Sequence, residues 1–223
     1  MPVATSMKDY YQARAAEYEE FYDLPERLTD LGEVKTWLEE QSRNRTILEV
    51  ASGTGYWTAV AAPIAKFIQG TDFNTAPLEI ARSKDLGAHV NFAVADAYDL
   101  PEYDIVFDCG MAHFWWSHVA KSRQDLFLAH IASRLGSGAT VLMIDNNYVA
   151  GSNTPITRKD SQGNTYQIRT LSNGDEYEVL KNFPGTADIE TVFGRHCSKV
   201  DVRQWNYFWA VKAVLKNTDD AAI

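Results

Sequence analysis

The sequence predicts an α/β fold: a doubly wound, mostly parallel seven-stranded sheet with helices on both faces and a C-terminal antiparallel hairpin. Three observations predict it. Short β-rich runs alternate with helical stretches between residues 46 and 145, and the connections are only a few residues long. A glycine turn, at Gly53 and Gly55, follows the first of these runs. Two last apolar runs, near Lys199 to Trp205 and Tyr207 to Leu215, almost abut, so a tight turn must pair them antiparallel.

Taken in order, residues 7 to 43 read helical in two pieces broken at Pro25, within an N-terminal cap expected over residues 1–45. In the second piece Leu28, Leu31, Val34 and Leu38 recur at spacings of three and four, which makes one apolar stripe. A cofactor-binding core is expected over 46–145. Its strands are Thr46 to Val50, Phe67 to Asp72, Val90 to Val94, Tyr103 to Phe107, and residues 139 to 145. Between them lie an Ala-rich helix to about Lys66, a helix around Leu78, Ile80 and Ala81, and a helix from about Lys121 to Leu135 closed by Gly136. Residues 146–223 then supply a hairpin lid and the last strands. Asn173-Gly174 separates Gln167 to Leu171 from Tyr177 to Leu180, a hairpin signal, and a short helix follows Pro184-Gly185. No linker is long enough to detach this tail, so one domain is expected.

Composition narrows the function. Apolar residues make up 45% of the 223, enough to bury a core without disulfide or metal staples. The net charge is −9, and residues 8 to 40 hold ten acids against four bases, so the chain lacks the basic footprint of a general nucleic-acid binder. Cys109 and Cys197 are too few for a disulfide framework and read as buried free thiols. The most apolar run, Ala59 to Ala65, contains Pro63 and is far short of a bilayer span. The first thirty residues carry charges at Lys8, Glu17, Glu19, Glu20 and Asp23 and do not resemble a secretory signal. The expected location is cytoplasmic, the expected partner a small molecule, and oligomeric state is left open.

In an open parallel sheet, ligands bind at the carboxyl ends of the strands where the connection order reverses. The first strand there ends Glu49-Val50-Ala51-Ser52-Gly53-Thr54-Gly55, and its glycines let the backbone turn tightly against a ligand. Asp72 ends the second strand and Asp96 follows the third, at separations of 23 and 24 from one acid to the next. A carboxylate at the end of the second strand can accept both hydroxyls of a ribose. One beyond the third can accept from an exocyclic purine amine, because an ionised carboxylate only accepts. Glu49 opposes phosphate at the helix N-terminus and suits a cation instead. An adenosine joined to a positively charged amino acid satisfies all three.

These segments resemble the class I S-adenosylmethionine-dependent methyltransferases, which have a Rossmann-like fold. The family's first motif, an acid, an apolar residue and Gly-x-Gly-x-Gly, is carried by Glu49 to Gly55, with Ala51 in place of the first glycine. The second is carried by Gly70-Thr71-Asp72-Phe73-Asn74, and the third by Ala95-Asp96-Ala97 with Leu100-Pro101 behind it. The resemblance extends over roughly residues 10 to 145 and more loosely beyond. It implies S-adenosylmethionine as cofactor, with Ala51, Gly53 and Gly55 along its methionine part and Glu49 near the ammonium. Asp72 would hold the ribose, Phe73 would pack on the adenine, and Asp96 with Ala97 would read the adenine edge. Cys109 and Gly110 would border the sulfonium. Tyr11, Arg14 and Tyr18 resemble the leading-helix residues that similar enzymes place over the cofactor carboxylate.

The acceptor site is expected in Met111 to His118, where Trp115, Trp116 and His118 would shape a pocket and aromatic faces could stabilise cationic charge on the transferring group. His113 is the candidate general base, since an imidazole titrates near neutral pH. Lys181, in an otherwise apolar run, would hold an anionic group together with Arg169 or Arg123. No metal is expected: His113 and His118 have no neighbouring Cys or paired acid to complete a site. The acceptor reads as a small metabolite methylated on oxygen, such as a carboxylate or phosphonate. The alternatives are N-methylation of an amine, nicotinamide-dependent redox chemistry, and a cofactor-binding module without turnover. The nicotinamide fingerprint wants a third glycine where this chain has Thr58.

Overall fold

Thr46–Val50 (β1) lies at the middle of a seven-stranded sheet, and its neighbours determine where a ligand can enter. The computed structural model describes residues 6–217; the first five and last six residues of the expected cap and tail lie outside the described residues. Beside β1 on one side run Phe67–Asp72 (β2) and Val90–Val94 (β3), all parallel. On the other side run Cys109–Met111 (β4) and Thr140–Asn146 (β5), also parallel. The chain thus passes outward from β1 to β3 and returns on the far side, so the order reverses between β1 and β4. Phe208–Leu215 (β10) pairs antiparallel with β5, and Cys197–Gln204 (β9) closes the edge as the expected C-terminal hairpin.

Both faces of the sheet are covered, and the strands alternate accordingly. Ile47, Leu142 and Ile144 point to one side, where Leu31, Val34 and Leu38 of Leu28–Ser42 (α2) and Trp57 of Tyr56–Ala61 (α3) pack. Leu48, Val141 and Met143 point to the other, against Phe127 and Ile131 of Gln124–Ala132 (α5) and Phe193 of Thr186–His196 (α6). Three members of the predicted α2 stripe are core, but Leu28, at the start of the helix, is 52% exposed. Thr75–Ser83 (α4) links β2 to β3.

The front of the chain is helical with the predicted break. Met7–Arg14 (α1) is capped by the Ser6 hydroxyl accepting from Asp9 N–H, and a 3-10 segment Ala15–Asp23 follows. Pro25 then opens a second short 3-10 turn, a position where its missing N–H is harmless. The predicted hairpin is present as Thr165–Thr170 (β7) and Glu176–Leu180 (β8), and Arg158–Lys159 (β6) adds a third strand. This small sheet packs its Leu171 and Val179 region on Tyr10 of α1.

One predicted strand is misplaced. Residues Tyr103 to Phe107 are not the fourth strand; they form an irregular approach in which Val106 is 78% exposed, while Phe107 is buried in the core and Tyr103 packs against it. The strand itself is Cys109–Met111, a sequence with weak β propensity. Gly110 is needed there: a Cβ at this position would stand 2.8 Å from Leu135 Cδ1 and 3.1 Å from Ile131 Cδ1.

Candidate active site

The turn after β1 builds the floor of the site. Ala51 and Gly53 both take left-handed backbone, at φ of 55° and 56°, so the chain reverses within a few residues. For an alanine that conformation costs roughly 1–2 kcal/mol, and here the surrounding bonds hold it. Ser52 N–H donates to Thr71 O at 2.9 Å, and the Asp72 carboxylate accepts Gly53 N–H at 3.0 Å and Asn74 N–H at 2.8 Å. Burial raises the Asp72 pKa while those backbone donors pull it down. Asp72 therefore ties the end of β2 to the turn after β1, and it also faces a cavity.

That cavity, about 500 Å³, opens along the carboxyl ends of β1 to β4. Its wall includes Ala51, Gly53, Asp72, Phe73, Asp96 and Ala97, six of the residues predicted for the cofactor. Asp96 accepts Tyr98 N–H at 2.8 Å, which fixes its carboxylate at the rim. Phe73 is 45% exposed, with the Lys8 ammonium 4.4 Å from its ring centre. Tyr11 and Tyr18 close the cavity from the leading segment. Arg14 does not line it; its guanidinium lies over the Tyr10 and Tyr18 rings.

Three further cofactor expectations need correction. Glu49 is 1% exposed and does not line the cavity; it accepts the Thr58 hydroxyl at 2.6 Å behind the wall. Burial pushes its pKa up to about 7, with the Asp72 charge adding to the effect. Gly55 is a packing glycine, because a Cβ there would lie 3.0 Å from Ala81 Cβ of α4. Cys109 and Gly110 lie too far down the sheet. The register pairs Ile47 with Cys109 and Glu49 with Met111, so the residue level with Ala51 is His113. At about 3.3 Å per residue, Cys109 sits some 13 Å below that edge. Its thiol is fully buried, and burial pushes its pKa up to about 12.

His113, Phe114 and Trp115 occupy the edge instead. Phe114 has φ of 56°, a rare conformation for an aromatic residue, and it turns the chain across the top of the site. The His113 ring lies 5.7 Å from Trp57, and neither of its nitrogens has a hydrogen-bond partner among the described residues. Burial holds this imidazole neutral, with its pKa pushed down to about 3. Trp115 lines the cavity, but Trp116 does not: it is 1% exposed and packs on Phe193 in the core, 5.0 Å between ring centres.

A second cavity, about 580 Å³, shares Tyr11, Tyr18, Phe114 and His118 with the first. His118 is doubly engaged. Its Nδ1 donates to Leu180 O at 2.6 Å, so Nε2 carries the lone pair that accepts the Tyr11 hydroxyl at 2.7 Å. Burial, then the Lys181 and Arg169 charges, hold its pKa well below the usual imidazole value. Lys181 lines the second cavity, is 3% exposed, and donates to Asp145 at 3.0 Å and to Ser117 at 2.6 Å. Its pKa falls to about 8 because burial outweighs the attraction of Asp145. Arg14, Arg27 and Arg169 complete a set of four cations on this wall, with Glu17 and Glu20 as the acids. Arg123 belongs to the first cavity, where it stacks 3.7 Å over Tyr98.

Arg27 and Asn146 were not singled out by the sequence. Asn146 carried a usable signal, since it ends β5 at the ligand-binding edge. Arg27 carried none; its place on the wall comes from the Ser152 carbonyl and hydroxyl it holds at 2.8 Å. Among the described residues, no group of three His, Cys, Asp or Glu is arranged to hold a metal ion. Nor is any described helix long and apolar enough to cross a membrane.

Comparison with known proteins agrees with this geometry. Residues 47–138 match the family model described as a methyltransferase domain. A demethylmenaquinone methyltransferase from Clavibacter sepedonicus is 31% identical over 112 residues, 47% of this chain and 46% of that one, so the match spans about half the relative's length. The solved DhpI-SAH complex aligns with a TM-score of 0.77 at 23% identity, covering 93% of this chain and 94% of that chain. The DhpI-SAM-HEP complex gives 0.74 at 24%, with 94% and 99% covered. The PH0226 protein from Pyrococcus horikoshii OT3 gives 0.70 at 17%, with 90% and 99% covered. These matches place a methyltransferase domain over residues 47–138 and show that most of the chain shares the fold of the solved DhpI complexes, in keeping with the glycine turn, the acids at successive strand ends and the reversed sheet order.

Proposed function

We propose that this protein transfers a methyl group from S-adenosylmethionine to an oxygen of a small anionic metabolite. The observation that carries the reading is the pair of adjoining cavities. One is walled by Asp72, Asp96 and the turn after β1, the other by four cations, and they meet at Tyr11, Tyr18, Phe114 and His118. The first cavity fits the cofactor. Its left-handed turn at Ala51 and Gly53 brings bare backbone to the wall, and its two carboxylates can accept from ribose hydroxyls and an adenine amine. Bound there, S-adenosylmethionine supplies an electrophilic methyl on a sulfonium.

The chain's own contribution is alignment and exclusion of water. Asp72 and Asp96 would orient the nucleoside, Phe73 and Tyr98 would flank it, and Phe114 and Trp115 would wall the reacting centre. Alignment of this kind contributes on the order of 7–11 kcal/mol to a bimolecular displacement. The cationic second cavity supports an anionic acceptor over an amine, which Arg14, Arg27, Arg169 and Lys181 would repel. The solved DhpI complex of similar fold holds two ligands, SAM and HEP, which is in keeping with a site for two. The nicotinamide reading gains no support: the place of its third glycine is held by Thr58, buried and bonded to Glu49.

Titration calorimetry with S-adenosylhomocysteine and with oxidised nicotinamide dinucleotide tests the cofactor. Binding of the first alone is expected; binding of the second alone ends the proposal. A labelled-methyl screen over small acids, phenols and amines then separates turnover from binding without turnover.

A further inference from the structure

Several hydrogen-bond donors around the second cavity have no protein partner among the described residues. Arg27 spends Nε and Nη2 on Ser152, and its Nη1 is buried without a partner. Arg169 spends Nη2 on Gln167 at 2.7 Å, and its Nε is likewise without one. Asn146, 3% exposed at the end of β5, has an unpartnered Nδ2. Lys181 has three donors and gives two, to Asp145 and Ser117, so one remains. Buried donors without acceptors are costly, about 1–3 kcal/mol each and more when charged. Leftovers of a single kind around one cavity specify a ligand that only accepts. The like charges also repel one another: burial first, and Arg169 in addition, depress the pKa of Arg27.

Neither imidazole near this wall is a free base. The His118 lone pair is taken by the Tyr11 hydroxyl, and its other nitrogen by Leu180 O. A relay through Tyr11 would leave an imidazolium facing Lys181, Arg169 and Arg14. His113 sits against Trp57 with both nitrogens enclosed, and its pKa near 3 makes it a poor resting place for a proton. The remaining titratable groups on this wall are Tyr10, Tyr18, Glu17 and Glu20, with Asp145 behind Lys181. Ser172 holds Glu17, Glu20 is exposed at the rim, and burial pushes Tyr18 up to about 12.

We infer that the acceptor atom is an oxygen of an oxyacid, a carboxylate or phosphonate that arrives already ionised, and that the protein removes no proton during transfer. This rests on the methyltransferase reading and names the substrate class of its second cavity. An oxyanion lone pair forms the new O–CH₃ bond as the S–CH₃ bond of the donor breaks, and that bonding pair passes to sulfur. The negative charge of the acceptor and the positive charge of the sulfonium cancel, leaving an ester and a neutral thioether. Arg169, Arg27, Asn146 and the free Lys181 proton orient the oxyanion, and Tyr11 and His118 form the shared wall it faces. His113 is accordingly a wall residue and not a base.

The test uses the full chain saturated with S-adenosylhomocysteine and three probes: 4-hydroxyphenylacetate, 4-hydroxyphenylphosphonate and the neutral phenol 4-methylphenol. Calorimetry is expected to show binding of at least one oxyacid and none of the neutral phenol. Arg169→Ala is expected to weaken that binding roughly 30-fold or more, with Arg169→Lys restoring part of it. Homocysteine-ligand affinity should not change in either variant, because Arg169 does not line the first cavity. With labelled S-adenosylmethionine, the label should enter an ester on the acid group, base-labile for the carboxylate product, and not an ether on the phenol. kcat/KM for 4-hydroxyphenylacetate, whose carboxyl is ionised throughout, should show no limb in the imidazole range of about pH 6–7. Binding of the neutral phenol alone, label in the ether, or an imidazole limb overturns the inference. Failure to bind the homocysteine ligand instead overturns the cofactor assignment on which it rests.

Discussion

The Asp72 carboxylate has two tasks, which makes its substitution informative. It holds Gly53 and Asn74 N–H groups and faces the first cavity, so Asp72→Ala should weaken S-adenosylhomocysteine binding by about a hundredfold, equivalent to about 2.7 kcal/mol. Circular dichroism should remain native; unchanged affinity would remove the ribose assignment. Glu49 predicts a pH effect on stability. Its pKa is raised from 4.5 to about 7, so the native state binds this proton more tightly than the unfolded chain does. The stability it contributes is present below the lower value and is lost as pH rises through the upper one, at most about 3 kcal/mol in all. Glu49→Gln keeps an acceptor for the Thr58 hydroxyl, and urea titrations of this variant should show that pH dependence flattened. At this scale the positions of Asp72 and Asp96 at strand ends were legible in the sequence, and both line the first cavity. Glu49 was misread because a motif residue need not touch the ligand.

At the scale of elements, the alternation from β1 to β5 was legible because buried parallel strands are continuous apolar runs bounded by turns. Cys109–Met111 was not, because three residues including a glycine carry almost no strand signal and the flanking Ile105-Val106 carries a false one. With the strand displaced, the sequence put Cys109 and Gly110 at the sheet edge that His113 and Phe114 occupy. Gly110→Val tests the observed placement. The added side chain meets Leu135 and Ile131, and overpacking should cost about 1–3 kcal/mol in a urea titration. A stability change near zero would mean that β4 and α5 do not pack as described. The second cavity was the least legible part. Arg27, Asn146 and Arg169 lie far apart in the chain, and only the docking of the small β6–β8 sheet on the leading segment brings them to one wall.

For the molecule as a whole, β9 and β10 return to the sheet that β1 to β5 began, and the small sheet packs on α1. We propose that these parts fold as one unit, and a single transition common to fluorescence and circular dichroism is expected on urea unfolding. Ligand at a hundred times its dissociation constant should add about 2.7 kcal/mol, a rise in melting temperature of about 5–11 °C for a chain of this size. The segment from Tyr11 to Tyr18 borders two chambers at once. Were it to swing aside, both would open together, and neither tenant would depart while the other stayed sheltered. We propose that turnover proceeds through a complex in which donor and acceptor are present simultaneously. Initial-rate plots for the two should intersect; parallel lines would mean that the methyl passes through a covalent enzyme intermediate and that no complex holds both substrates.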